Sequence, residues 1–242
     1  ARILLALAFF LLWETAADRG WIDSFFFSSP SRLGRLFLSM WRDGSLFLHV
    51  GITLTETLVS FALVVVIGLA VSLLLWLSDS VFQVLEPYLV ILNSLPKSAL
   101  APLLIVWLGA NSRTIIVAGM SVAIFGTILN LYTGFTETSR EKIRLIYTLH
   151  GTKKDALTKV VLPSTVPMII SIMKVNIGLC LVGVVIGEFI GARNGLGYLI
   201  IYGSQVFQLD LVILSILILC LMAMLLYGGV TAAEKLYHRR QH

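Results

Sequence analysis

The run TSREKIRLIYTLHGTKKDALTKVVLP occupies residues 138–163 and is the longest strongly polar, basic stretch of the chain. Its spacing predicts two short helices joined at His150-Gly151 and stopped by Leu162-Pro163. Thr138 and Glu141 have capping-box spacing, which places a helix start there. Ile143, Ile146 and Leu149, with Leu145 beside them, give the first helix a wide apolar side, and Gly151 supplies the permissive backbone that ends it. In the second helix Ala156, Leu157, Val160 and Val161 share one face, with Lys153, Lys154 and Lys159 elsewhere. Pro163 is expected to stop that helix and Pro167 to restart the chain as a span. Apolar runs of membrane length flank the stretch on both sides, so it reads as a polar helical hairpin set between two membrane spans.

Composition agrees with a membrane setting. Hydrophobic residues make up 58% of the 242 residues and charged residues 13%, with a mean hydropathy of +0.94. A soluble domain carries about twice that charged fraction. The class is therefore an all-α polytopic membrane protein, one helical bundle over 1–242 rather than several domains. The net charge of +5 gathers at span ends and in the hairpin. No Arg/Lys stripe interleaves with exposed aromatics, so no nucleic-acid partner is expected. Cys180 and Cys220 fall inside apolar runs and have no metal spacing.

Working outward from the hairpin, about six spans are expected, near 3–17, 50–77, 81–109, 114–135, 166–186 and 211–232. The chain begins at Ala1 without Met, so a short N-terminal piece is expected to be missing. The run 3–13 leads into ETAADRG with no cleavage signature and reads as the end of a first span. In 32–41, Leu33, Leu36, Phe37 and Met40 share a face that Arg32 and Arg35 avoid, as in a helix lying in the interface with Trp41 at headgroup level. The third span is interrupted by Leu95-Pro96-Lys97 and again by Pro102. Residues 187–203 read as a Gly-rich link. Arg140, Lys142, Arg144, Lys153, Lys154 and Lys159 in the hairpin, with Lys235, Arg239 and Arg240 in the tail, put the hairpin and both termini on the cytoplasmic side. Arg19, Arg32, Arg35 and Arg42 in the first loop oppose this, offset by Asp18, Asp23 and Asp43.

Two readings of the hairpin stand: an ordinary loop whose lysines fix topology, or a helix laid into a groove on a soluble partner. Polar groups within spans are candidates for a translocation path, since they are costly there. They are Asn93, Ser94 and Lys97 at the broken span, Asn130, and Lys174 and Asn176. Lys97 could instead snorkel from a simple proline kink, Lys174 could be a structural pairing near the cytoplasmic end, and the asparagines could bond between helices. Two in-span lysines would suit an anionic solute, unless Glu56, Glu86 or Glu188 already neutralises them. Glu56 and Glu188, near the outer ends, are candidates for pairing with Arg or for contact with an outer partner. The chain has no phosphate-binding loop and no H-E-x-x-H, and none of its four histidines has a carboxylate partner within a span. No catalytic or metal site is expected. A stand-alone six-span secondary transporter or channel is the alternative, although neither deep coupling carboxylates nor an inverted repeat is visible.

The run T-L-H-G-T-K followed by V-V-L-P resembles the cytoplasmic motif of binding-protein-dependent ABC importer permeases, which is Glu-Ala-Ala, three residues, Gly, nine residues, I-x-L-P. FFFSSPSRLGRLF (25–37), ALAPLLIVWLGANSRTIIVAG (99–119) and VVIGEFIGARNGLGYLI (184–200) resemble the nitrate/sulfonate/taurine branch, which also covers bicarbonate and thiamine-precursor pyrimidines. In the register set by Leu162-Pro163 the family's Gly falls on His150, and Glu-Ala-Ala falls on Arg144, Leu145 and Ile146, so the family's acidic contact residue is missing. The resemblance implies a type I ABC importer permease fold with a coupling hairpin at 138–163. It implies ATPase coupling through Leu145, Ile146, Thr148, Leu149, His150, Gly151, Thr152, Lys153, Leu162 and Pro163. It further implies a second permease copy, expected to be identical, two cytoplasmic ATPase subunits that carry ATP and Mg, an extracytoplasmic solute-binding protein that Glu56 and Glu188 could contact, and residence in the bacterial inner membrane.

Overall fold

A computed structural model describes residues 2–239, and all of its regular structure is helical. Ala1, and Arg240 and His242 of the basic tail, lie outside the described residues. The chain opens with α1 (Arg2–Asp18), the short α2 (Ser24–Phe27) and α3 (Pro30–Arg42), then the long α4 (Ser45–Leu77). The expected third span is α5 (Asp79–Ser94) and α6 (Lys97–Leu108), followed by α7 (Ser112–Thr136). The hairpin is α8 (Arg140–Thr148) and α9 (Lys153–Ala156); α10 (Leu162–Gly191), α11 (Leu196–Gln205) and α12 (Leu209–Arg239) complete the bundle.

Among the described residues four helical stretches are long and apolar enough to cross a membrane: Ser45–Leu77, Ser112–Thr136, Lys153–Gly191 and Leu209–Lys235. The pair α5 and α6 bends by 96° and makes a fifth if it is counted as one broken span. With α1 these make the six stretches expected. The first expected span is α1, whose 17 residues sit at the lower limit of crossing length.

α4, α7 and α10 form the centre of the bundle. The buried face of α4 carries His49, Thr53, Glu56, Thr57, Ser60, Val64, Gly68 and Ser72, spaced three or four apart. Its Leu58, Val66 and Leu74 face outward. This inverts the soluble pattern: where the surroundings are lipid, small and polar residues go inside because they allow close backbones and hydrogen bonds between helices. The Ser60 hydroxyl donates to the Glu56 carbonyl at 2.7 Å and to the Ile116 carbonyl of α7 at 3.0 Å. α7 and α10 touch backbone to backbone, since a Cβ on Gly183 would lie 2.8 Å from the Gly119 Cα.

The helix expected over 32–41 is α3, and its apolar face packs against α12. Ser29 caps it, Pro30 opens it, and Leu33 and Met40 are buried in a cluster with Leu211, Leu214 and Met222 of α12. Arg32 fastens it by donating from Nε and Nη2 to Asp210 Oδ2, at 3.1 and 2.7 Å. The expected Gly-rich link at 187–203 contains the end of α10 and most of α11, because only 192–195 departs from helix.

Candidate functional site

Three features carry the chemistry: the hairpin, a polar cavity midway along the bundle, and a buried carboxylate site at the end opposite the hairpin.

In the hairpin, the expected capping box at Thr138 and Glu141 does not form. Ser139 precedes α8 without a side-chain cap, and the buried Thr138 hydroxyl donates to the Gly134 carbonyl of α7 at 3.5 Å. The capping box belongs to α9: Asp155 N–H donates to Thr152 Oγ1 at 3.3 Å, and Thr152 N–H donates to Asp155 Oδ2 at 2.9 Å. The end of α8 also differs from expectation. His150, not Gly151, takes the left-handed backbone, with φ +59°. Gly151 N–H donates to the Ile146 carbonyl at 2.9 Å and His150 N–H to the Tyr147 carbonyl at 3.0 Å, the pair of bonds that defines a Schellman end. Gly151 is needed for space, because a Cβ there would come within 2.9 Å of the Ile146 carbonyl oxygen.

The expected apolar side of α8 divides in two. Ile143 and Ile146 pack inward on Trp76, Phe135, Leu157 and Val161. Leu145 and Leu149 are 60% and 71% exposed, with Tyr147 also exposed between them. Thr148 is exposed and donates to the Arg144 carbonyl. Lys153 lies 5.4 Å from the centre of the Trp76 ring and 3.9 Å from Asp79. Pro163 does not stop the second arm, which corrects the sequence reading. Residues Leu157–Val161 widen into a π-turn in which Leu162 N–H bonds the Leu157 carbonyl five residues back. Such a bulge makes room for a proline ring that would otherwise strike the carbonyl four residues earlier. Leu162 and Pro163 therefore lie in the first turn of α10, and the helical path runs unbroken over Lys153–Gly191.

Of the six expected path residues, the fold brings three together. Asn93 of α5, Asn130 of α7 and Asn176 of α10 line one cavity of about 310 Å³, with Thr127 and Ser171 beside them. Asn176 also donates to Thr127 Oγ1 at 2.8 Å, tying α10 to α7. Ser94, Lys97 and Lys174 are not in its lining. Ser94 donates to the Val90 carbonyl. The Lys97 ammonium donates to the Leu92 carbonyl at 2.5 Å and sits 5.3 Å from the centre of the Phe125 ring. Leu92 is four residues before Pro96, whose missing N–H leaves that carbonyl without its helical donor. Lys97 thus caps the break. Lys174 pairs with Glu234 of α12. Sequence reading missed Thr127 and Ser171, because single hydroxyls in apolar runs give little signal.

The third feature corrects the expectation of an outer contact. Glu188 is 1% exposed and Glu56 3%, so neither presents a surface to another protein. Glu188 and two side chains of α4 hold the first turn of α11. Thr53 donates to Glu188 Oε1 at 2.7 Å and Gly197 N–H to Oε2 at 2.6 Å. Leu196 N–H donates to Thr53 Oγ1 at 2.8 Å, and Gly195 N–H to His49 Nδ1 at 3.0 Å. Helix N-termini have unsatisfied N–H groups that favour such acceptors.

The family described as "Binding-protein-dependent transport system inner membrane component" matches residues 64–241. A probable ABC transporter permease protein of Haemophilus influenzae is 30% identical, over 95% of this chain and 91% of that protein. The formylaminopyrimidine transport permease protein ThiX of Halalkalibacterium halodurans is 27% identical over 96% and 92%. The taurine transport permease protein TauC of Escherichia coli is 24% identical over 93% and 83%. Among solved structures, an inward-facing MetNI methionine ABC transporter superposes with a TM-score of 0.68 at 20% identity, covering 76% of this chain and 92% of that one.

Proposed function

The chain belongs to the binding-protein-dependent transport system inner membrane component family, and from that premise we propose how it couples, what it assembles with and what it carries. It is the multi-pass permease subunit of an ABC importer in the inner membrane. The family and the shared fold set it apart from the alternative of a stand-alone carrier.

The hairpin at 138–163 is the ATPase-coupling element. The observation that carries this reading is an outward apolar patch, Leu145, Tyr147 and Leu149, on a helix pinned from below by Ile143 and Ile146. Its second arm continues into α10, so force applied to the patch travels along a rigid helix to the centre of the bundle. His150 occupies the family's Gly position, and its left-handed backbone is the conformation for which glycine is ordinarily chosen. The missing family glutamate leaves apolar contact as the main grip. Thr148, Thr152 and Lys153 border the patch, and Gly151, Leu162 and Pro163 preserve its geometry.

Two cytoplasmic ATPase subunits, which hold ATP and Mg, would act on two copies of this chain, with a solute-binding protein at the far side and both termini in the cytoplasm. The solute would pass the asparagine-lined cavity. Its class is a small anion or polar heterocycle, as the relatives' names for aliphatic sulfonates, taurine, nitrate and formylaminopyrimidine indicate. Lys97 and Lys174 lend no support to an anion, since both are engaged within the chain.

The test is co-purification. Leu149→Asp and Leu145→Asp, both at exposed positions, should release the ATPase while leaving the permease folded in the membrane. Retention of the ATPase by the double variant would sink the docking assignment.

A further inference from the structure

Beside the α11 anchor lies a second carboxylate without comparable support. Neither oxygen of Glu56 has a hydrogen-bond partner, although both are buried. Its polar neighbours are the Ser112 hydroxyl and the Glu188 carboxylate. Glu56 forms the buried wall of a cavity of about 180 Å³, closed by Asn111 and Ser112 at the start of α7 and by Arg193 and Asn194 before α11.

An ionised carboxylate removed from water and left unpaired is too costly to persist, so such a group takes up a proton. Glu188 is buried as well, but the Thr53 hydroxyl, the Gly197 amide and the N-terminus of α11 offset part of that cost for its charged form. Each carboxylate oxygen still has a lone pair to offer.

We propose that Glu56 and Glu188 together form a one-proton binding site, a single proton held between the two carboxyl groups. The proton comes from water through the cavity, and no other reactant is required. Its loss would place two carboxylate charges side by side in a buried site. The repulsion would fall on Glu188, the group that anchors α11, so deprotonation loosens that helix from α4 and α10.

The surrounding charges agree. On α4 itself His49 accepts from Gly195 through Nδ1, and from α11 Tyr198 stacks on His49. Arg193 is the cation among the cavity's lining residues; it is exposed and does not bond Glu56. Arg113 of α7, Arg32, Arg35 and Arg42 of α3, and Asp79 and Glu86 of α5 are not in the lining.

The full chain in lipid nanodiscs gives the test. Infrared spectra of the wild type should contain a carboxylic-acid carbonyl band that disappears as pH rises, and Glu56→Gln should lack it. Thermal stability of the wild type should fall as pH rises out of the ordinary carboxylate range and level off once the pair has lost its proton, whereas that of Glu56→Gln should stay flat and match or exceed the wild type at the alkaline end. Glu188→Gln should move the band's loss to lower pH, because the neighbouring charge is gone. A wild type without a titrating band would overturn the proposal. So would stabilisation by sodium, potassium or calcium that vanishes in Glu56→Gln, which would make the pocket a metal-cation site. A Glu56→Gln chain that does not fold would also overturn it, because the amide reproduces the uncharged shape of the protonated acid.

Discussion

His150 and Gly195 both have backbones outside the range that side chains favour, with opposite consequences for substitution. His150 carries the left-handed turn that ends α8, a conformation that costs an ordinary residue about 1 kcal/mol. His150→Gly should therefore raise the stability of the purified complex by about 0.5–1 kcal/mol, read as a shift in thermal unfolding, with transport retained. Gly195 has φ +115°, and a Cβ there would lie 2.3 Å from Glu188 Oε1. Gly195→Ala should destabilise by about 2–3 kcal/mol or more and free the first turn of α11, seen as faster amide exchange over 195–199. Lys97 is a third case. Lys97→Met leaves the Leu92 carbonyl without its donor and should cost about 1 kcal/mol, with Lys97→Arg restoring most of it. Uptake lost in Lys97→Met at unchanged stability would return that lysine to the solute path. None of these roles was legible from residue type alone: His150 reads as a loop histidine, and Lys97 as a path or snorkelling residue, until Pro96 and Leu92 are placed in space.

At the scale of elements, the hairpin was legible as two helices with a turn at 150–151, and its caps were not. Capping-box spacing occurs at both Thr138/Glu141 and Thr152/Asp155, and local sequence does not choose between them. Packing chooses, because the Thr138 hydroxyl is drawn onto the end of α7. Pro163 misleads for a similar reason, since a stop and a π-bulge share one proline signature until the neighbouring helices fix the path. Thr152→Val removes the N-cap hydroxyl of α9 and should cost about 1 kcal/mol, observed as enhanced proteolysis within 149–155 and weaker ATPase-stimulated uptake. The four-residue periodicity of small and polar residues along α4 is visible in the sequence, yet its direction inverts the soluble rule. Only knowledge that the surroundings are lipid turns that stripe inward.

Across the whole molecule, α5 and α6 leave a broad apolar face uncovered, with Val84, Tyr88, Ile91, Val106 and Trp107 all exposed. Part of such a face meets lipid, and a second copy of the chain is the proposed cover for the rest. The assembled transporter should show two permease copies and two ATPases by native mass measurement. Its uptake should be blocked by vanadate and should survive ionophores that collapse ion gradients. Ionophore-sensitive, vanadate-resistant uptake would point instead to a secondary carrier.

The amino-acid sequence by itself determined the membrane class, the approximate limits of the long spans, the polar hairpin between two of them and the family motifs. All of these follow from local hydropathy, turn chemistry and residue order, which neighbouring residues decide. The tertiary structure alone decided which polar groups meet. It gathered Asn93, Asn130 and Asn176 into one cavity, assigned Lys174 to Glu234, and set Glu56 beside Glu188 under the first turn of α11. A buried polar group takes its role from the partner that replaces its lost water, and that partner is supplied by another helix, 49, 60 or 132 positions away in these cases.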